Sequence, residues 1–313
     1  MVTRNTGRVI RGLRPSPTYG CGPVSSSQAE LLLYPHPMRW TPGGRSGNLE
    51  DRRGSRGMGG PLGIGGGLVT LILALIFGPG ILQDGGGETG SSYGEVGLSP
   101  ADSAREEPMV QFVSFVLDDA QGTWQQKFSS AGSTYRPANL VLFRGGTQTG
   151  CGVGQSAMGP FYCPLDEKVY VDLDFFAELD RRFGAPGDMA QAYVIAHEIG
   201  HHVQHVLGMD ERVRQVQRSN PGEANEMSVR LELQADCYAG VWANSANQRG
   251  KLEGGDVQEG LGAASAVGDD RIQQQTQGRV NAESFTHGSA QQRSQWFMRG
   301  FESGNPDSCD TFR

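Results

Sequence analysis

The sequence predicts an α+β fold, mainly helical with a small sheet and preceded by one transmembrane helix, and three features carry that reading. Two runs rich in apolar and β-branched residues, 135–143 and 168–176, are the clearest strand signals. Apolar residues then recur every three or four positions through most of the C-terminal half, as on the buried faces of helices. A few strands followed mostly by helices is the α+β pattern. Finally, residues 62–82 carry no charge over 21 positions, enough to cross a bilayer as a helix of roughly 30 Å.

Charge divides the chain of 313 residues. Residues 1–60 hold nine Arg against Glu30, Glu50 and Asp51, a net of +6, which leaves −13 for the rest of a chain of net −7. Neither the whole nor the body is basic enough for a nucleic-acid binder. Residues 1–60 read as a disordered basic tail. Its first 37 residues have no periodicity and could lie upstream of the true start, with Met38 an alternative initiator. Residues 61–82 form the expected membrane span. Arg45, Arg52, Arg53 and Arg56 precede it and Asp84 and Glu88 follow, so the positive-inside rule places the N-terminus in the cytoplasm and the body outside. A cleaved secretory signal is the alternative, and it too exports the body. Residues 83–104, rich in Gly and Ser, read as a tether, and 105–313 as the folded domain.

Within that domain, residues 106–130 form an amphipathic helix, with Val113, Val116, Leu117, Ala120, Trp124 and Phe128 on one stripe; this places Trp124 in the core rather than against a ligand. Between the two strands, residues 152–162 supply either an edge strand or a loop near the site. A helix follows Gly187, with Asp188 and Gln191 as a capping box and Gly208 as its stop. Further helices cover residues 224–246, 256–268 and 289–301, the last opened by a Ser289/Gln292 capping box. The Asp269-Asp270 pair reads as a solvated cap.

Chemistry concentrates in Ala196-His197-Glu198-Ile199-Gly200-His201-His202. On a helix, His197 and His201 lie one turn apart on one face and can grip one metal ion, while Glu198 stands beside the open position, able to take a proton from the attacking water. Two imidazoles need a third protein ligand. His202 is rotated about 100° from His201 and is no candidate. His205 shares the face, but a carboxylate from another element is the better third ligand. Glu232 and Asp236, one turn apart among Leu231, Leu233, Ala235, Tyr238 and Trp242, are carboxylates that need a partner if buried, and a metal with its imidazoles would supply one. Cys151 and Cys163 bracket a Gly-rich loop, and Cys237 and Cys309 are the other pair beyond the span. Two bridges in an oxidising compartment are expected, with free thiols as the alternative.

These segments together resemble the gluzincin superfamily and, within it, the bacterial membrane-anchored neutral zinc metallopeptidase family. The likeness lies in His197-Glu198-Ile-Gly-His201-His202, in Glu232-Leu-Gln-Ala-Asp236 with Cys-Tyr-Ala-Gly behind it, in Phe285-Thr-His287-Gly-Ser-Ala-Gln-Gln-Arg293, and in the Met38-Arg-Trp opening. It covers roughly residues 38–313. The resemblance implies a zincin-like domain with one Zn2+ per chain held by His197, His201 and Glu232, and Glu198 as general base and acid. It implies that Asp236 orients His197, that His287 stabilises the oxyanion with support from Arg293, and that residues 157–162 are the edge strand along which a peptide substrate lies. The expected activity is an endopeptidase tethered to the outer face of the cell membrane. A zinc-containing binding or chaperone module without turnover is the competing class. Oligomeric state is left open.

Overall fold

The computed structural model describes residues 37–54 and 98–313, which lie in one unit, His36–Arg313. In chain order the elements are β1 (Leu49–Asp51), α1 (Pro100–Ser130), β2 (Asn139–Phe143), β3 (Gly146–Thr149), β4 (Gly152–Gln155), β5 (Phe161–Cys163) and β6 (Lys168–Asp172). There follow α2 (Asp174–Arg181), α3 (Asp188–Val206), α4 (Met209–Ser219), α5 (Ala224–Gln248), α6 (Asp256–Ala266), α7 (Asp269–Gln277) and α8 (Ala290–Ser303). The fold is mainly helical with a small sheet, as the sequence predicts.

The two strand runs become the central strands of a sheet ordered β1-β2-β6-β5. β2 and β6 are parallel, with Leu140 opposite Val169 and Leu142 opposite Val171. Both are shorter than expected. Pro137 has no N–H to give a ladder, and at the far end the Asp172 carboxylate accepts the Asp174 N–H and opens α2. β5 adds antiparallel to β6 as the edge strand, and β3 and β4 form a separate hairpin.

α1 begins at Pro100, five residues before the expected domain boundary, because Ser99 accepts the Asp102 N–H as N-cap. Its stripe is buried as expected, and Trp124 meets Tyr238 edge-on at 5.0 Å in the core. α3 starts without the expected capping box: Gly187, at φ 106°, is the N-cap and Asp188 is the first helical residue. α3 crosses α5 at Gly200, where a β-carbon would come within 3.0 Å of the Ala235 carbonyl. That approach brings Glu232 and Asp236 against the two imidazoles. α8 carries the predicted capping box and buries Phe297 completely. Cys151–Cys163 and Cys237–Cys309 are disulfide-bonded.

The reading of residues 1–60 as a disordered tail is corrected for residues 37–54, which are ordered against the domain. β1 pairs in parallel with β2, Leu49 opposite Leu140, and Arg53 is buried between Asp51 at 2.7 Å and Glu106 at 2.6 Å. Strands sharing hydrogen bonds lie about 4.8 Å apart, so residues 49–51 and 140–142 are on the same side of any membrane. The expected span at 61–82, residues 1–36 and most of the tether lie outside the described residues. Among the described residues no helix is long and apolar enough to cross a membrane.

Candidate metal centre

His197, Glu198 and His201 project from α3 and Glu232 from α5, at the floor of a cleft of about 700 Å³. His197 Nε2 is 3.1 Å from Glu232 Oε2, and His201 Nε2 is 3.4 Å from Glu232 Oε1. A tetrahedral ion with bonds of about 2.0 Å spaces its ligand atoms about 3.3 Å apart. Both edges match, so two imidazoles and a carboxylate stand where a divalent ion would hold them, and the three form a group able to do so.

Each imidazole is turned by a second residue. His197 Nδ1 lies 2.9 Å from Asp236 Oδ1, and His201 Nδ1 lies 2.9 Å from Gln204 Oε1. Both partners accept, which puts the ring proton on Nδ1 and leaves each Nε2 lone pair facing Glu232. Gln204 is itself fixed: fully buried, it donates to the Leu231 carbonyl at 2.7 Å and to Gln234 at 3.1 Å. His202 stands apart. It donates from Nε2 to the Arg136 carbonyl and accepts from the Tyr162 hydroxyl at Nδ1, tying α3 to β5. His205 pairs with Asp210 at 2.8 Å.

Asp236 has no solvent exposure, and a lone buried carboxylate would be costly by several kcal/mol, on the order of the penalty for any unpaired interior ion. Arg293 offsets this by donating to both carboxylate oxygens at 2.8 and 2.9 Å, and the Tyr193 hydroxyl donates at 2.5 Å. Burial works to raise the Asp236 pKa, but Arg293 and His197 outweigh it and hold it below the ordinary value. Arg293 thus braces Asp236. Its polar contacts run to Asp236, Tyr193, the Val267 carbonyl, His197 Nδ1 at 3.4 Å and Glu232 at 4.0 Å, which places it behind the expected ligands rather than against His287.

His287 lines the same cleft, and its Nδ1 meets Asp269 Oδ1 at 3.1 Å. Asp269 is the residue that the sequence misassigned. Far from a solvated cap, it is buried and accepts the Thr286, His287 and Gly288 backbone N–H groups at 2.7, 2.7 and 3.1 Å. Burial opposes a charge on His287, but Asp269 and Glu232 outweigh it and raise its pKa. Glu198 is buried beside the ligands, and burial, partly offset by His201 and His197, raises its pKa. A carboxyl lifted in this way is a better proton acceptor once ionised.

Residues 157–162 are a strand only in part. Ser156–Met158 is a 3-10 turn, and the edge strand is Phe161–Cys163, which lines the cleft through Phe161 and Tyr162. Three residues of the site escape the sequence reading: Tyr193, one turn before His197 on the same face; Gln204, three residues after His201; and Asp269.

A helix carrying HExxH lies against a second helix carrying Glu-x-x-x-Asp, with both ring protons held by fixed acceptors, and together they form a group able to hold a divalent ion. The chain belongs to the family described as "Putative neutral zinc metallopeptidase", whose model matches residues 38–312. It is 51% identical over 283 residues to the uncharacterized protein YpfJ of Escherichia coli K12, covering 88% of this chain and 99% of that protein. It is also 49% identical over 189 residues to the uncharacterized Mycobacterium tuberculosis protein Rv2575, covering 57% of this chain and 63% of that protein. No solved structure matches.

Proposed function

We propose that this protein is a zinc-dependent endopeptidase with a zincin-like catalytic domain and one Zn2+ per chain on His197, His201 and Glu232. The observation that carries the reading is the meeting of Glu232, from a different helix, with both Nε2 atoms at ligand spacing. When bound, zinc acts as a Lewis acid that lowers the pKa of water toward neutrality and polarises a carbonyl. Glu198 removes the proton from the attacking water and delivers it to the leaving amine. His287, held by Asp269, donates a hydrogen bond to the carbonyl oxygen as it gains negative charge.

Two features support a peptide as substrate. β5 is an edge strand at the cleft wall, where an extended chain can add its own backbone hydrogen bonds. The cleft wall is also apolar, with Phe161, Phe175, Phe183, Val213 and Leu231 in its lining, which favours a substrate with apolar side chains. The two disulfides support an oxidising, extracytoplasmic compartment for the body.

The test is Glu198→Gln in the zinc-loaded protein, assayed on fluorogenic peptides with apolar side chains. Zinc content should persist while turnover falls roughly 10³-fold. Turnover retained at full zinc content would remove Glu198 from the mechanism. Stoichiometric zinc in the unaltered protein, with no peptide cleaved, would instead favour a binding module.

A further inference from the structure

At the other end of α3 from the metal centre, Asp188, Asp256 and Glu259 each offer a carboxylate oxygen within 4.8 Å of the others'. Their placement is costly. Asp256 has no solvent exposure, and its Oδ1 is buried without a hydrogen-bond partner, as is Glu259 Oε2. Asp256 Oδ2 is engaged by the Glu253 N–H at 2.7 Å. The Met38 backbone nitrogen lies 2.7 Å from Asp188 Oδ2, and the other groups that donate to Asp188 and Glu259 are likewise uncharged backbone N–H groups, at the start of α3. A peptide nitrogen brings one proton and no charge to a site with three acids and two orphaned oxygens.

The three residues beginning at Met38 are each seated. The Met38 side chain is buried in the core. The Arg39 N–H donates to the Lys251 carbonyl at 2.7 Å and its guanidinium pairs with Glu253. Trp40 packs on Phe112 and Phe115 at 5.4 and 6.1 Å. Chain ends are poorly ordered unless tied down, and Met38, Arg39 and Trp40 are all tied down. The family match begins at residue 38. A methionine followed by a residue as bulky as Arg39 keeps its place after synthesis, because methionine removal requires a small second residue.

From these observations we propose that the Asp188–Asp256–Glu259 cluster is a receptor for a primary ammonium, the free α-amino group of Met38 as the first residue of the working protein. An ammonium at that position carries three protons and a positive charge. It keeps the bond to Asp188 and has two protons left for the two orphaned oxygens. A divalent cation fits less well: calcium takes six to eight oxygens and magnesium a full octahedron, whereas here one oxygen is engaged by Glu253 and another faces an N–H donor that would repel the ion. The ammonium pins 38–54 to the helix that carries the metal ligands.

Two experiments test this. Intact-mass measurement and N-terminal sequencing of the protein from its own host should show Met38 as the first residue with an unblocked amine; a chain beginning upstream would overturn the proposal. Thermal unfolding should then compare the protein starting at Met38 with one extended by Gly-Ser in front of it. Pro37 is exposed, so the extension has room and what it removes is the charge. The extended protein should unfold about 5–10 °C lower, with zinc content unchanged, as expected for taking one partner from a buried ion pair. In the Asp256→Asn/Glu259→Gln background the two forms should unfold together. Equal melting of free and extended proteins in the unaltered background would contradict the ammonium. So would saturable stabilisation of the Met38-first protein by calcium, magnesium or manganese that is lost in Asp256→Asn, which would make the cluster a metal site.

Discussion

The two polar clusters on α3, about 16 Å apart along its axis, are built differently. At the metal centre imidazoles alternate with carboxylates, and each ring has a second partner that fixes its proton: Asp236 for His197 and Gln204 for His201. At the helix start there are only carboxylates, and two of their oxygens have no partner. Mixed donors with braced rings suit a divalent ion that must keep an open coordination position. Clustered acids with unpartnered oxygens, one acid bonded to the Met38 nitrogen, suit a group that brings protons and charge together. The difference teaches that the neighbours of an acidic residue, more than its burial, say what it is for.

The largest effect should come from the residue on which the metal centre depends. Glu232→Ala should cost both zinc and peptidase activity, read by metal analysis beside a peptide assay, because two imidazoles alone leave the ion half-held. Next, His287→Ala should lower kcat about 10²–10³-fold with little change in KM or zinc content. Asp269→Asn should fall in the same direction by less, since His287 then keeps its place but loses its anionic partner. Gln204→Ala should weaken zinc about 10–100-fold in competition with a chelator while leaving kcat of the saturated enzyme near that of the parent.

The smallest effect concerns the acidic cluster and pH. Burial lifts Asp256 to about 6 and Glu259 to about 7, with Asp188 adding to both and Glu253, paired with Arg39, adding to Asp256. Carboxyls raised above their unfolded values favour the folded state while protonated, so that contribution is present below about pH 4 and is lost as pH rises toward 7. Urea midpoints between pH 4 and 8 should show this loss in the Gly-Ser-extended protein. In the protein beginning at Met38 the loss should be much reduced.

The residues legible from sequence were those whose spacing is itself the signal. His197 and His201 are four apart, Ser289 and Gln292 three apart, and the core stripe of α1 repeats every turn; each relation is local and survives folding unchanged. Glu232 and Asp236 were legible because carboxylates among Leu231, Leu233 and Trp242 need a partner. What stayed hidden depended on distant contacts. Asp269 looked like a solvated cap because a pair of acids at a helix start is usually one, and nothing local tells that the 286–288 backbone folds over it. Gln204 and Tyr193 are ordinary helix residues until α5 arrives. β1 is three residues long, too short to show alternation, and its partner lies some ninety positions away in the sequence.

Anomalous diffraction at the zinc edge from crystals of the zinc-loaded protein tests the account most directly. The expected result is one peak about 2.0–2.2 Å from His197 Nε2, His201 Nε2 and a Glu232 oxygen, with Glu198 beside it but not bound. A zinc peak that leaves Glu232 outside its ligands, or no peak between the two imidazoles, would contradict it.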